Sequence, residues 1–124
     1  MEIIKYFFDS YAIVEIVAGN QSYSKFINEP VTITIFNLAE IYWSAILNLE
    51  EKKAEEIYET YSACIKTISD EVLKEAIKFR KKHKNKDLSY TDCIGYIYAL
   101  KNNMKFLTGD REFEAMENVE FIKK

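Results

Sequence analysis

Hydrophobic residues follow two alternating patterns along the chain. Short runs rich in β-branched and aromatic residues have the pattern of buried β-strands. These predicted strands are residues 3–8, 31–35, 64–68, 105–107 and 119–122. Longer segments between them place apolar residues three and four positions apart, which is the spacing of a buried helix face. These predicted helices are residues 11–18, 20–28, 36–49, 50–62, 70–84 and 90–101.

Strands that alternate with helices are typical of a parallel sheet with helices on both faces. The pattern therefore predicts a three-layer α/β/α fold with a parallel sheet of four to five strands. We expect the strand order 3-2-1-4-5, in which the first and fourth strands flank the point where the order reverses. The length of 124 residues, without a repeat or a linker, predicts a single domain over residues 1–124. In such sheets a ligand binds beyond the carboxyl ends of the strands, near the point where the strand order reverses.

Acidic residues occur where this fold would bring them to that point. Asp9 directly follows the first predicted strand, and Asp110 follows the fourth. We expect Glu40 in the first turn of the helix after the second strand, and Asp92 in the first turn of the helix before the fourth. The separations are 31, 52 and 18 residues, so only the folded chain would gather the four side chains.

Helix capping is the alternative explanation for each acid. The segments Asn37-Leu38-Ala39-Glu40 and Ser89-Tyr90-Thr91-Asp92 both fit a capping box, and Asp9 and Asp110 suit N-cap positions. A cap needs only a short polar side chain, however, and Ser, Thr or Asn serve equally well. Four carboxylates in one half-buried crevice would repel one another, and hard divalent cations offset such repulsion. The combination predicts a site for one or two Mg²⁺ or Mn²⁺ ions.

Residue types that are scarce narrow the chemistry further. The only histidine is His83, so sites with two imidazoles are excluded and a catalytic triad is disfavoured. Three glycines cannot form a GxGxxG or Walker-type loop. Cys64 and Cys93 form no CxxC pair, which indicates free thiols and a cytoplasmic protein. No apolar run reaches 18 residues, so no membrane span is expected. A carboxylate cluster that holds metal ions suits phosphoryl chemistry, which needs no protein nucleophile.

Four short motifs carry these acids in a fixed order. They are Phe7-Phe8-Asp9-Ser10, Asn37-Leu38-Ala39-Glu40, Leu88-Ser89-Tyr90-Thr91-Asp92 and Thr108-Gly109-Asp110-Arg111-Glu112-Phe113. Together they resemble the motifs of the PIN-domain family, which are small metal-dependent ribonucleases that include VapC-type toxins. The resemblance covers nearly the whole chain.

The resemblance implies a catalytic and metal-binding role for each of the four acids. Asp9 would be the central ligand, Glu40 and Asp92 would complete the first metal site, and Asp110 would serve the same or a second metal. The implied activity is that of an endoribonuclease that cleaves single-stranded RNA. The toxin of a VapBC-type toxin–antitoxin pair would have this activity.

The resemblance also implies auxiliary residues and partners. Ser10 and Thr108 would orient ligands or a water molecule, and Glu112 stands where some relatives carry a further Asp. VapC-type relatives imply a homodimer and a small antitoxin protein whose tail lies across the cleft. Trp43 lies off the apolar stripe of its helix, and we expect it at one of these two contacts.

A run of cations precedes the segment that carries Asp92. It consists of Lys78, Arg80, Lys81, Lys82, Lys84 and Lys86. These residues would form a phosphate-binding rim for RNA, or alternatively a solvated helix end whose cations interact with the helix dipole. The formal net charge of −3 excludes a broadly basic RNA-coating protein. Without the four acids, the chain has 17 basic and 16 acidic side chains.

Two other functions remain open from the sequence. A receiver-type phospho-acceptor domain agrees with the length and the alternation of strands and helices, and Asp70 follows the third predicted strand. Against it, no acidic pair follows the first strand. A non-catalytic PIN-like binding module agrees with the fold, although the presence of all four acids argues against it.

Overall fold

Three parallel strands form the sheet of the computed structural model, which describes residues 3–123. The ends of the predicted domain, residues 1, 2 and 124, lie outside the described residues. The strands are β1 (Tyr6–Phe8), β2 (Lys105–Thr108) and β3 (Val119–Phe121), in the order β1-β2-β3. They correspond to the predicted strands 1, 4 and 5, and both pairings are parallel, as predicted.

The predicted second and third strands are reduced to one bridge. The Phe8 N–H donates to Thr32 O at 3.0 Å, and a parallel bridge joins Ile33 to Ile65. These segments follow the expected order 3-2-1-4-5, but the described residues contain three strands and a bridge instead of four to five strands. The reason is that the chain leaves the sheet early, because Thr34 already caps the next helix.

Five α-helices have bounds within two residues of the predicted ones. They are α1 (Ser10–Val17), α2 (Ile35–Asn48), α3 (Glu51–Ser62), α4 (Asp70–Lys82) and α5 (Tyr90–Lys101). The sixth predicted helix, residues 20–28, is a 3₁₀ segment over Gln21–Phe26 instead. The Asn20 side chain caps it by accepting a hydrogen bond from Ser22 N–H at 2.9 Å. None of the helices in residues 3–123 is both long and apolar enough to cross a membrane.

Both faces of the sheet are buried under helices, which confirms the three-layer prediction. Successive strand residues point to opposite faces, and Phe7 and Phe8 are both fully buried. Phe8 and Leu107 pack in the cluster that includes side chains of α1, α2 and α3. Phe7 and Phe106 pack in the cluster that includes side chains of α4 and α5.

The apolar stripe of α2 is wider than its buried face. Leu38, Ile41 and Ala45 are buried, as the spacing predicts. Ile46 and Leu49, which belong to the same stripe, are 45% and 38% exposed. An apolar surface therefore remains uncovered at the carboxyl end of this helix.

Candidate active site

All four predicted acids line one cleft of about 390 Å³ at the carboxyl ends of β1 and β2. Asp9 directly follows β1, and Asp110 lies two residues beyond β2. Asp92 is in the first turn of α5, and Glu40 is in the second turn of α2. The fold thus brings together side chains that are far apart in the sequence.

Asp9 is the most deeply buried of these acids, with 2% of its surface exposed. It occupies the N-cap position of α1, but its side chain makes no capping hydrogen bond. Its Oδ2 atom instead accepts a hydrogen bond from Thr108 Oγ1 at 2.6 Å. Burial raises the pKa of Asp9 to about 8, and repulsion from Asp92, Asp110 and Glu40 adds to this effect against the opposing Thr108 bond. The capping explanation therefore does not apply to Asp9.

Thr108 connects two of the acidic residues. It is fully buried, and its hydroxyl donates to Asp9 while accepting a hydrogen bond from Asp110 N–H at 3.0 Å. The Asp110 carboxylate in turn accepts a hydrogen bond from Glu112 N–H at 3.0 Å and caps the 3₁₀ turn Arg111–Phe113. Asp110 therefore caps the 3₁₀ turn, as the capping explanation predicted, and also lines the cleft.

Asp92 likewise combines a capping role with a place in the cleft. Ser89 N–H donates to Asp92 Oδ2 at 2.8 Å, and Asp92 N–H donates to Ser89 Oγ at 3.0 Å, which confirms the predicted capping box. Burial raises the pKa of Asp92 to about 6 despite the bonds with Ser89, and repulsion from Asp110 and Glu40 acts in the same direction. Capping and a functional role are thus compatible at this residue.

The capping box predicted from Asn37 to Glu40 is wrong, because α2 begins at Ile35 and not after Asn37. Thr34 is the N-cap, and its N–H and hydroxyl donate to Asn37 Oδ1 at 2.9 and 2.8 Å. Glu40 therefore lies in the second turn and not in the first. Its exposed side chain takes no part in this cap and lines the cleft instead.

Asn37 is a buried residue whose role the sequence analysis missed. Its Nδ2 atom donates to Ser10 Oγ at 2.9 Å, and Ser10 is buried at the start of α1 and lines the cleft. Asn37 thereby joins the first turn of α2 to the residue next to Asp9. The spacing Thr34-Ile35-Phe36-Asn37 was the available signal, with Asn in place of the usual Glu or Gln of a capping box.

Glu112 is not among the residues that line the cleft. Its Oε1 atom accepts a hydrogen bond from Asp87 N–H at 3.4 Å, in the loop that precedes α5. The Glu112 carboxylate therefore supports this loop, and its auxiliary catalytic role stays a prediction.

The predicted cationic run divides between a groove and the outer surface. Arg80, Lys81, Lys84 and Lys86 line a groove of about 310 Å³ between the end of α4 and the start of α5. Two further members, Lys78 and Lys82, are exposed and are not among the lining residues. The other predicted features lie elsewhere: His83 packs on Phe79 at the end of α4, and Cys64 and Cys93 are free thiols, as predicted.

A family model described as a PIN domain matches residues 6–119. The chain belongs to the PIN-domain family. This result confirms the resemblance seen in the four motifs, and it argues against the receiver-type alternative. No curated protein sequence matches this PIN domain at a significant level.

Solved structures of toxin–antitoxin proteins share the fold of this PIN domain. VapC20 of Mycobacterium tuberculosis, described as a sarcin–ricin loop cleaving toxin, has a TM-score of 0.78 at 13% identity, covering 96% of this chain and 100% of its own. A toxin–antitoxin complex from Klebsiella pneumoniae has a TM-score of 0.75 at 17% identity, covering 97% and 99%. VapBC2 of Rickettsia felis, bound to a promoter DNA fragment, has a TM-score of 0.70 at 16% identity, covering 95% and 97%. Similarity at this level of identity establishes the fold.

The four predicted acids in the cleft of this PIN domain carry the type of ligand that a hard divalent cation prefers. They offer only carboxylate oxygens, which suit Mg²⁺ and Mn²⁺. Burial raises the pKa of Asp9 and Asp92, and a cation among the acids would offset the repulsion that adds to this effect. Within residues 3–123, however, no three acidic, histidine or cysteine side chains already form a group that could hold a metal ion. The carboxylates would therefore have to move closer together to bind one ion. The caps at Asp92 and Asp110 do not prevent this, because each uses only one oxygen of the carboxylate.

Proposed function

We propose that this PIN domain, a single domain over residues 1–124, is a Mg²⁺- or Mn²⁺-dependent endoribonuclease that cleaves single-stranded RNA. One observation carries the proposal: the four predicted acids line the same cleft, which Glu15 also lines, and burial raises the pKa of Asp9 with a further rise from repulsion by the other three. Such repulsion costs stability in a protein without a metal ion, and it is explained if the site evolved to hold a cation. The family and the name of the VapC20 neighbour support the same activity.

The side chains of the cleft would divide the work between metal binding and positioning. Asp9, Glu40, Asp92 and Asp110 would hold one or two ions, which when bound polarise the scissile phosphate and lower the pKa of a water molecule. Thr108 keeps the Asp9 carboxylate in a defined position through its 2.6 Å hydrogen bond. This chemistry requires no protein nucleophile, which agrees with a cleft whose lining residues do not include His83.

The decisive test is an RNA cleavage assay with the purified protein. We expect cleavage of a single-stranded RNA in Mg²⁺ or Mn²⁺, none in EDTA, and weak cleavage of the matching duplex. Asp9→Asn and Asp92→Asn should each lower the rate by about 100-fold or more, the scale for loss of one group that stabilises charge in an active site. Asp70→Asn is the matched control, because Asp70 is exposed and does not line the cleft. Cleavage that survives chelation or both cleft substitutions would contradict the proposal.

A non-catalytic PIN-like binding module is the second candidate. The lack of a preformed group of three metal-binding side chains in residues 3–123 favours it. The same assay separates the two functions, because a binding module would retain the RNA and leave it intact at every metal concentration.

We further propose that the protein acts in the cytoplasm as the toxin of a VapBC-type pair, as a homodimer and with a small antitoxin protein. The free thiols agree with a reducing compartment, and the names of the Klebsiella and Rickettsia neighbours support an antitoxin partner. Exposed apolar residues on α2, with Trp43 at 61% and Leu47 at 62%, offer a surface for such contacts. Light scattering should give twice the chain mass, and a monomer would contradict the dimer.

A further inference from the structure

We propose that the basic groove between α4 and α5 is the binding subsite for the RNA strand, with Tyr90 as the surface on which a base stacks. This inference rests on the proposed function and adds the path of the substrate to it. The cations Lys81, Lys84 and Lys86 would contact the phosphates of the same strand. Tyr90 was not among the residues selected from the sequence.

The groove has the composition of a nucleotide-binding surface. The groove has a volume of about 310 Å³, and it is lined by four cationic side chains, by the apolar residues Ile77 and Leu88, and by Tyr90. Cations contact a phosphate backbone, and an aromatic ring accepts any base because every base has a π-face. A single nucleic acid strand offers a phosphate and a base at every nucleotide, and the combination of cations and a ring in one groove therefore favours it over an acidic protein.

Tyr90 is held in place although it lies at the surface. The guanidinium of Arg80 lies over its ring, 4.2 Å from the ring centroid, and Arg80 Nε donates to Leu88 O at 3.0 Å. Tyr90 nevertheless remains 58% exposed. An aromatic ring that is fixed on one face and exposed elsewhere can stack on a base with little loss of conformational entropy.

The groove adjoins the acidic cleft through the first turn of α5. Ser89 lines the cleft, and the next residue, Tyr90, lines the groove. Neighbouring residues at the start of α5 therefore line the two openings, and a strand in the groove would have to pass only this point to reach the acids. Lys86, at the edge of the groove, contacts the turn that follows Asp110, where its Nζ donates to Glu112 O at 3.5 Å. The positive groove would thus bring the RNA to a cleft that, without a metal ion, repels it.

Fluorescence anisotropy with a labelled 12-nucleotide single-stranded RNA in EDTA measures binding without cleavage. We expect Tyr90→Ala to weaken the affinity about tenfold, which is within the range for loss of one stacking platform, whereas Tyr90→Phe retains it. Lys84→Ala should weaken binding and lower the slope of log affinity against log salt by about 0.7, as expected for one lost phosphate contact. Lys82→Ala is the matched control, because Lys82 belongs to the same run but does not line the groove.

The inference is overturned if Tyr90→Ala and Lys84→Ala bind RNA like the wild type, or if Lys82→Ala has the same effect as Lys84→Ala. It is also overturned if the groove variants lose only a protein partner and retain the RNA affinity. Circular dichroism of each variant checks that α5 remains folded. If the groove variants weaken RNA binding but the wild type cleaves no RNA in Mg²⁺ or Mn²⁺, the groove is supported and the nuclease proposal fails.

Discussion

Substitution of Asp9 by asparagine exchanges a buried carboxylate for a neutral side chain of nearly the same shape. Asp9 is 2% exposed and has three acidic neighbours, and both conditions disfavour its charged form. An asparagine carbonyl oxygen can still accept the hydrogen bond from Thr108. We therefore expect the metal-free Asp9→Asn variant to be more stable than the wild type at neutral pH.

The size of this effect follows from the pKa of Asp9, which rises from 3.8 to about 8 in the folded protein. Between these two values the folded chain keeps a proton that the unfolded chain has lost, so stability decreases by about 1.4 kcal/mol per pH unit. This loss of stability is absent below pH 3.8, the pKa of Asp9 in the unfolded chain, and reaches its full size above about pH 8, the pKa in the folded protein. It amounts to about 2 kcal/mol at pH 5 and about 4 kcal/mol at pH 7.

Urea unfolding followed by circular dichroism in EDTA, at pH 5 and pH 7, measures the difference between the two proteins. Asp92, whose pKa is about 6, is present in both, so the comparison isolates the contribution of Asp9. Glu40→Gln is the matched control, since it removes a charge from the same cleft at an exposed position. Its stability should change by less than about 0.5 kcal/mol. Added Mg²⁺ should stabilise the wild type more than Asp9→Asn.

This reasoning is refuted if Asp9→Asn is no more stable than the wild type at pH 7. It is also refuted if the advantage of the variant fails to grow between pH 5 and pH 7. Either result would mean that burial beside the other acids does not impose on Asp9 the electrostatic cost on which the metal proposal depends.

Three further substitutions test how the site is held together. Thr108→Val removes the hydroxyl that donates to the Asp9 carboxylate and accepts from Asp110 N–H, so the free energy of unfolding in urea should fall by about 1–3 kcal/mol. Thr108→Ser keeps the hydroxyl and should retain the stability of the wild type. In Gly95→Ala the new Cβ would lie 2.6 Å from the Phe7 ring, so urea unfolding should show a loss of about 1–3 kcal/mol, and a gain would contradict the close packing of α5 on β1. Thr34→Ala removes the N-cap of α2 and should cost about 1 kcal/mol in the same assay, whereas an unchanged midpoint would argue against this helix start.

The gathering of the acids could be predicted because it depends on topology alone. Parallel strands end at the same edge of a sheet, so Asp9 and Asp110 had to approach each other once β1 and β2 were neighbours. The helix that carries Asp92 was equally predictable, because Ser89 and Asp92 have the spacing of a capping box.

Other features depend on contacts that no local pattern contains. The start of α2 was misplaced because Thr34 and Asn37 are both good N-cap residues, and only the folded backbone decides between them. The hydrogen bond between Asp9 and Thr108 joins residues 99 positions apart, and the burial of Asp9 depends on the whole fold. The raised pKa of Asp9 could therefore not be predicted from the sequence. The pairing of Arg80 with Tyr90 likewise depends on how α4 packs against α5.

The central claim is that the four acids of the cleft bind a divalent cation. Anomalous diffraction from a crystal soaked in Mn²⁺ tests this claim most directly. The account predicts a peak in the cleft at about 2.1 Å from carboxylate oxygens, Asp9 among them, and no such peak in Asp9→Asn. A Mn²⁺-soaked wild-type crystal without a peak in the cleft, or with Mn²⁺ bound only elsewhere, would contradict it.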